Sequence, residues 1–339
     1  MKEALLYTTD ANERAHCAVC IHRCAIAPGH CGMCGTRENR AGRLYTHIYD
    51  QVSAVQLDPI EKKPLYHFFP GSQVLSLGTY GCSFRCPGCQ NWELSRRAPD
   101  ESDATPRRIT PQQAVQMAVT TGAAGICWTY NDPAIWIEHT LEAARLAREH
   151  GLYTAYVTNG TATREHLDLI GPYLDAYRVD IKACTPEAYR AISGVGDGTE
   201  IFAGVEYAKT RWGLHVECVT NVTPTINDSD EELRGIAHWI VTHLGPDTPW
   251  HLTRFHPYEG FAHLPATPLA TLDRVYLLGQ EAGLRFLYVG NVSGDPRQHT
   301  HCPHCAAVVV RRQGFTVTAM DIAEGKCPHC AAVIAGRFV

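Results

Sequence analysis

The stretch GCSFRCPGCQNWE, Gly81 to Glu93, sets thiols at Cys82, Cys86 and Cys89, at spacings of three and two residues. A tetrahedral metal site needs four ligands, so either a fourth comes from elsewhere or one position is left open. Cysteine thiolates also hold iron–sulfur clusters, normally one per iron in a four-iron cubane. Three of them leave one iron able to bind a substrate, by the logic that keeps a coordination position open on catalytic zinc. Pro87 stiffens the loop, while Gly81 and Gly88 let its backbone turn closely. A zinc knuckle is the competing reading of the same spacing.

The surroundings of this loop have a clear rhythm. Short apolar segments alternate with longer amphipathic ones, the pattern of parallel strands joined by crossover helices. Strands are predicted at Val74–Thr79, Ala124–Thr129, Tyr153–Thr158, Ala176–Ile181, His215–Val222, His251–Phe255 and Arg285–Val289. Six or seven such units imply an α/β barrel or partial barrel. A helix is expected over Ala134–His150, with Asp132 able to cap it, Pro133 at its first position and Gly151 beyond its end. Further helices are expected near Pro111–Thr121, Ser229–Leu244 and Pro268–Ala282, and an irregular loop over Arg96–Arg107.

In parallel barrels the site lies at the C-terminal ends of the strands. The thiol loop follows the first strand, Thr129–Pro133 (TYNDP) the second and Thr158–Gly160 (TNG) the third. Asp180–Lys182 (DIK) closes the fourth, Arg254–Pro257 (RFHP) the sixth and Val289–Asn291 (VGN) the last. Each is weak alone, since Asn-Gly and Asp-Pro steps usually make turns; their common address surrounds one cavity.

With this placement, Cys82-x3-Cys86-x2-Cys89 resembles the signature of the radical S-adenosylmethionine (SAM) superfamily. That resemblance implies a partial (β/α)6 TIM-like barrel carrying a [4Fe-4S] cluster on the three cysteines. The free iron would chelate SAM, whose reductive cleavage yields a 5'-deoxyadenosyl radical for hydrogen abstraction. Along more of the chain, Asp58–Ser72 (DPIEKKPLYHFFPGS), the thiol loop, TYNDPAIWIEH, VTNG, DIK, RFHP and LYVGN resemble the radical SAM enzyme of the AmmeMemoRadiSam system, a group similar to pyruvate formate-lyase activating enzymes. Carried over from those activases, Gly88, Cys89 and Gln90 would line SAM, and Asn131 and Asp132 would lie by its methionyl amino group. Asn159 joins these contacts, and Asp180, Lys182 and His256 would meet SAM or a nearby cation. The chemistry agrees in kind: an ammonium wants a carboxylate or amide oxygen, and a carboxylate wants a cation such as Lys182. Each has a plainer reading too: Asp132 as a helix cap, Asp180–Lys182 as a structural ion pair, His256 as a loop hydrogen-bonding group.

Fifteen cysteines is an odd and high count, and in a reducing compartment it reads as metal binding before disulfides. Cys302-x2-Cys305 and Cys327-x2-Cys330 form two CPHC knuckles around a predicted hairpin turning near Gln313 and Gly314, the pattern of a small zinc ribbon. Rubredoxin-type iron uses the same four ligands, but Ala306 and Ala331 stand where such knuckles commonly carry glycine. His304 and His329 read as spectators. At the head, Cys17, Cys20, Cys24, Cys31 and Cys34 are five thiols for four positions. The resemblance points to Cys17, Cys20, Cys24 and Cys34, and zinc and a second iron–sulfur cluster both fit. Cys127, Cys184 and Cys218 stand alone as small hydrophobes.

A length of 339 residues suits one large domain with small additions: residues 1–57 as a Cys-rich segment, 58–298 as the barrel and 299–339 as the ribbon. Apolar residues make up 45% and charged ones 19%, which places the chain among folded proteins. A net charge of −5 argues against a large nucleic-acid surface. No segment reads as a signal sequence or membrane span, so a cytoplasmic protein is expected. By resemblance its partners would be a flavodoxin- or ferredoxin-type electron donor and AMMECR-type and Memo-type proteins. Three functions follow as alternatives: radical modification of an unidentified substrate, activation of a glycyl-radical enzyme, or a non-catalytic metal scaffold.

Overall fold

In a computed structural model, residues 1–96, 107–194 and 196–338 are described. Most of the loop expected at Arg96–Arg107 lies outside these residues. The chain builds one eight-stranded sheet from β1 (Ala54–Pro59), β2 (Gln73–Gly78), β3 (Gly125–Trp128), β4 (Tyr153–Thr158), β5 (Ala176–Asp180), β6 (His215–Val222), β7 (Trp250–Arg254) and β8 (Leu287–Gly290). The strands lie in sequence order, with β2 to β8 parallel and β1 antiparallel to β2. Seven parallel strands are present, one more than a six-unit barrel needs, and the sheet is open: β1 and β8 are its two edges. The division placed at residue 57 falls inside β1, because Ala54–Pro59 pairs along its whole length with Gln73–Gly78.

The strands are β-branched and aromatic where they are most buried. Trp128, Tyr156, Tyr177 and Trp250 are wholly enclosed, so these segments favour a sheet covered on both faces. Between them run α1 (Pro111–Thr120), α2 (Ile137–Glu149), α3 (Arg164–Ile170), α4 (Pro186–Ser193), α5 (Thr199–Trp212), α6 (Asp230–Trp239) and α7 (Leu269–Glu281). Helix α1 opens on a full capping box of Thr110 and Gln113, while Thr163, Thr185 and Ser229 cap α3, α4 and α6 with their hydroxyls. The helix expected from Ala134 instead begins at Ile137, after a 3-10 turn over Pro133–Trp136. Asp132 makes no side-chain cap there, because its carboxylate is engaged elsewhere.

The two cysteine-rich ends dock at opposite poles of the sheet. The C-terminal module pairs β9 (Thr300–His301), β10 (Val308–Gln313) and β11 (Thr316–Met320) antiparallel, turning at Gly314 as expected. It packs where the strands begin: Arg337 N–H donates to His67 O (2.7 Å), and buried Arg312 donates to Tyr66 O (2.8 Å). Beneath it, buried Glu217 near the start of β6 accepts from the backbone N–H groups of Tyr66 and His67 and pairs with His251 (2.6 Å) and His215 (2.9 Å). The N-terminal segment, small antiparallel ribbons over residues 2–46, sits where the strands end. There Ile21 N–H donates to Thr161 O (2.9 Å), and Cys20 bridges to Ala162. It is fastened to α2 by the buried Arg37–Glu138 pair (2.7 Å), and Glu138 also accepts from Leu5 N–H (2.7 Å).

One residue of α2 makes the fold sensitive to acid. His139 is completely buried and stacks on Trp136 with ring centroids 4.2 Å apart, and burial pushes its pKa down to about 3. In the unfolded chain an imidazole titrates near about 6.5. Below that pH the unfolded state takes up a proton that the folded state refuses, so stability held above pH ~6.5 is lost as pH falls toward ~3, by up to about 1.4 kcal/mol per unit. We expect His139→Phe to remove this contribution. In urea melts from pH 7 to pH 5 the wild type should weaken more steeply than the variant; parallel pH profiles would contradict the assignment.

Candidate radical site

The loop that follows β2 is tied down before its first cysteine. Asn131, just beyond β3, accepts from Thr79 N–H at 3.2 Å and donates to Gly81 O at 2.7 Å. Gly81 has φ 76° and lies so close to the N-terminal segment that a Cβ there would stand 2.6 Å from Cys34 O, so only glycine fits. Arg85 gathers the backbone, donating to Cys82 O (2.9 Å) and Phe84 O (3.0 Å), and also reaches Met33 O. Its own N–H goes to Ser193 O at the end of α4 (3.0 Å). Arg96 donates to Cys86 O (2.9 Å) and Pro87 O (3.2 Å). The loop after β7 closes over the top: Gly260 N–H donates to Pro87 O (3.1 Å), and a Cβ on Gly88 would lie 2.6 Å from the Phe261 ring.

Within that frame Cys82 is buried, whereas Cys86 and Cys89 are half-buried. The Cys82 thiol is pushed up to about 12, first by burial and then by the Asp132 carboxylate. Burial also raises Cys86, and Lys182 opposes that rise. Cys82 Sγ accepts from Phe84 N–H at 3.4 Å, and Cys89 Sγ lies 3.4 Å from Ser95 Oγ. Thiols raised by burial, as those of Cys82 and Cys86 are, make poor nucleophiles and become thiolates on binding a metal, which suits ligands. Among the described residues, the C-terminal cysteines form the one group of three or more metal-ligating side chains whose donor atoms all lie within 4.8 Å of one another. Cys82, Cys86 and Cys89 do not form such a group, and a set of three thiolates that need not close on one ion fits a cluster of several irons.

Asp132, read from sequence as a cap or a ligand contact, is nearly enclosed and takes three hydroxyls: Ser83 (2.7 Å), Thr158 (2.6 Å) and Thr161. Ser83 stands next to Cys82, so the carboxylate holds the thiol loop to the ends of β3 and β4. Asn159 belongs to the same cradle, donating to Ser83 Oγ (3.1 Å) and lying 3.9 Å from Cys82 Sγ. At the end of β5, Asp180 pairs with Lys182 (2.9 Å) and with Arg178. Burial would raise the Asp180 carboxyl, but the two cations outweigh it and hold it below its usual range. Burial would lower Lys182, but the Asp180 carboxylate outweighs it and raises the ammonium above its usual range. Gln90 and His256 are exposed.

The structure thus brings Asn131, Asp132 and Asn159 together around Cys82 and sets Lys182 toward Cys86. The hydroxyls of Ser83, Thr158 and Thr161 and the guanidinium groups of Arg85 and Arg96 were not foreseen. Ser83 lies inside the quoted loop and Thr161 just after TNG, but a hydroxyl carries no spacing signature.

At the chain's head, Cys17, Cys20, Cys24 and Cys34 line one small cavity with Gly32, Met33 and Arg37, while Cys31 lies outside it and is exposed. At the tail the four knuckle sulfurs converge, with Cys302 and Cys330 3.6 Å apart and Cys305 and Cys327 3.7 Å apart. Ala306 and Ala331 follow with φ near 60°, the left-handed position that glycine fills without strain.

This combination of a parallel sheet and a three-thiol loop at its C-terminal rim is that of a known superfamily. Over residues 76–240 the chain matches the Radical SAM superfamily. More narrowly, it is a member of the family of Uncharacterized protein MJ0808 of Methanocaldococcus jannaschii, being 35% identical to it over 322 residues that cover 95% of each chain. An isethionate sulfite-lyase activating enzyme of Oleidesulfovibrio alaskensis is 28% identical over 130 residues, 38% of this chain and 41% of that one. Among solved structures, Streptococcus suis SuiB bound to S-adenosylmethionine superposes with a TM-score of 0.50 at 12% identity, covering 68% of this chain and 53% of that chain. That likeness is one of fold.

The hydroxyl cradle around Asp132 has a measurable consequence. Thr161→Val removes one donor and leaves a buried carboxylate oxygen short of a partner, a loss of about 1.5–3 kcal/mol for a hydrogen bond to a charged group. A lower urea midpoint is expected; an unchanged midpoint would show that Thr161 does not bear on Asp132.

Proposed function

We propose that the chain binds a [4Fe-4S] cluster through Cys82, Cys86 and Cys89 and reductively cleaves S-adenosylmethionine to abstract hydrogen from a substrate. The observation that carries this reading is a loop of three metal-suited thiols fixed at the C-terminal rim of seven parallel strands in a superfamily member. When bound, the cluster supplies the electron that splits the sulfonium.

The chain's own residues hold the reactants and exclude water. Lys182, whose charge acts on Cys86, meets the methionyl carboxylate, with Asp180 keeping it charged and oriented. Gly88, lacking a Cβ, and exposed Gln90 are proposed to border the same region, and His256, exposed on the loop after β7, to reach it. Asp132, Asn131 and Asn159 are read as positioning residues. Their polar atoms are already engaged by the thiol loop and its neighbours, so they act through the loop's shape.

The four C-terminal cysteines, converging at tetrahedral spacing, are proposed to hold zinc in a structural role. Their place at the opposite pole of the sheet keeps that metal away from the chemistry. No helix among the described residues is long and apolar enough to cross a membrane, and a cytoplasmic location with a flavodoxin- or ferredoxin-type donor is the matching proposal. AMMECR-type and Memo-type proteins are the proposed partners by the resemblance quoted above. Modification of a small molecule or another macromolecule is preferred to activation of a glycyl-radical enzyme. The chain has TYNDP where activases have Gly-Gly-Glu-Pro, and its extra cysteines precede the sheet.

The test is direct. Protein reconstituted without oxygen and given dithionite and SAM should release 5'-deoxyadenosine and methionine, and Cys86→Ala should release neither above background. No nucleoside from a wild-type protein with a full cluster would refute the reading and leave a metal scaffold.

A further inference from the structure

The N-terminal cysteines differ in geometry from the C-terminal ones. Around zinc, four sulfurs at about 2.3 Å from one ion lie within ~3.8 Å of each other, as the C-terminal set does at 3.6 and 3.7 Å. Among the described residues the N-terminal sulfurs do not form a group of three or more donors gathered closely enough to share one ion. They surround a cavity instead of closing on a point, with about 10 Å³ of it open to a group the size of water. A cubane places each thiolate on a different iron and so asks for this wider spread.

A second observation points into the same cavity. Arg37 lines it and is only 2% exposed. Its Nη2 is satisfied by Glu138 (2.7 and 2.8 Å), but Nε and Nη1 have no hydrogen-bond partner. A buried guanidinium with two unpartnered nitrogens beside four thiols is arranged to meet an anion carrying sulfur acceptors. Thr36 Oγ1 donates to Cys34 Sγ (3.2 Å) in the same manner. Hydrogen bonds to cluster sulfur are among the means by which a protein sets a cluster's potential.

We infer that Cys17, Cys20, Cys24 and Cys34 hold a second iron–sulfur cluster of the four-iron class, with Arg37 donating to it, and that this site is not zinc. The cluster is a one-electron centre: it takes one electron from a donor of the flavodoxin or ferredoxin class and releases one, with no bond made or broken. Its position is suited to that, since Cys34 O is packed against Gly81, the residue before the first cysteine of the radical loop. The inference does not require the three-cysteine loop to be active.

The experiment is therefore done on full-length protein carrying Cys82→Ala, Cys86→Ala and Cys89→Ala, reconstituted with iron and sulfide without oxygen. About four irons per chain should remain, alongside about one zinc, with a dithionite-reduced paramagnetic signal that SAM leaves unchanged. Adding Cys24→Ser should remove that iron to below about a tenth while the zinc stays, which distinguishes loss of the site from loss of the fold. In the triple variant, Arg37→Lys should lower the midpoint potential of the signal, because the donors on Nε and Nη1 are withdrawn. About two zincs with negligible iron in the triple variant would overturn the inference, as would iron that survives Cys24→Ser.

Discussion

The radical site proposed for this chain depends on one side chain just beyond β3. Asn131 spends its carbonyl oxygen on Thr79 N–H and its amide on Gly81 O, clamping the backbone on both sides of the turn that leaves β2. A peptide of the loop's composition, with two glycines and a proline, would otherwise sample many conformations. Clamped at its root, gathered by Arg85 and Arg96 and covered by the loop holding Phe261, it presents three thiols in one arrangement. Site residues held by such surroundings are preorganised, so binding a metal does not have to order them first. The buried Asp132 carboxylate serves the same end: its charge is spent on three hydroxyls, one of them on the residue after Cys82.

The second organising feature is polarity along the strands. The C-terminal module closes the pole where the strands begin, held by Arg312, Arg337 and the Glu217 network, and so completes the core at that end. The N-terminal segment covers the pole where the strands end and contributes the wall against Gly81. Two groups of four cysteines in one chain thus have unlike surroundings. One converges on a point far from the rim, and the other surrounds a cavity beside it. The Arg37–Glu138 pair that fastens the latter is buried, an arrangement costly to break and therefore suited to fixing one geometry.

Much of this was legible from residues alone. All seven parallel strands follow from short apolar runs at regular intervals, because a strand covered on both faces has a composition that loops lack. The thiol spacing gave the site, and the strand-end addresses gave its surroundings. What escaped was decided by tertiary contact. The start of α2 shifted to Ile137 because Pro133 opens a 3-10 turn, and the Asp132 side chain turned inward where Ser83, Thr158 and Thr161 happen to meet. Nothing local announces that three hydroxyls from two strand ends will share one carboxylate. Likewise β1 crossed an expected boundary because its partner lies downstream in β2.

The central claim is that the three-cysteine loop leaves one iron free to bind SAM. Electron–nuclear double resonance of the reduced, reconstituted protein with SAM labelled with nitrogen-15 and oxygen-17 in its methionyl amino and carboxylate groups tests it most directly. The account predicts couplings from both labels to the cluster spin, as two atoms bound at one iron require. A cluster signal with no coupling to either label, in protein shown to have bound SAM, would contradict it.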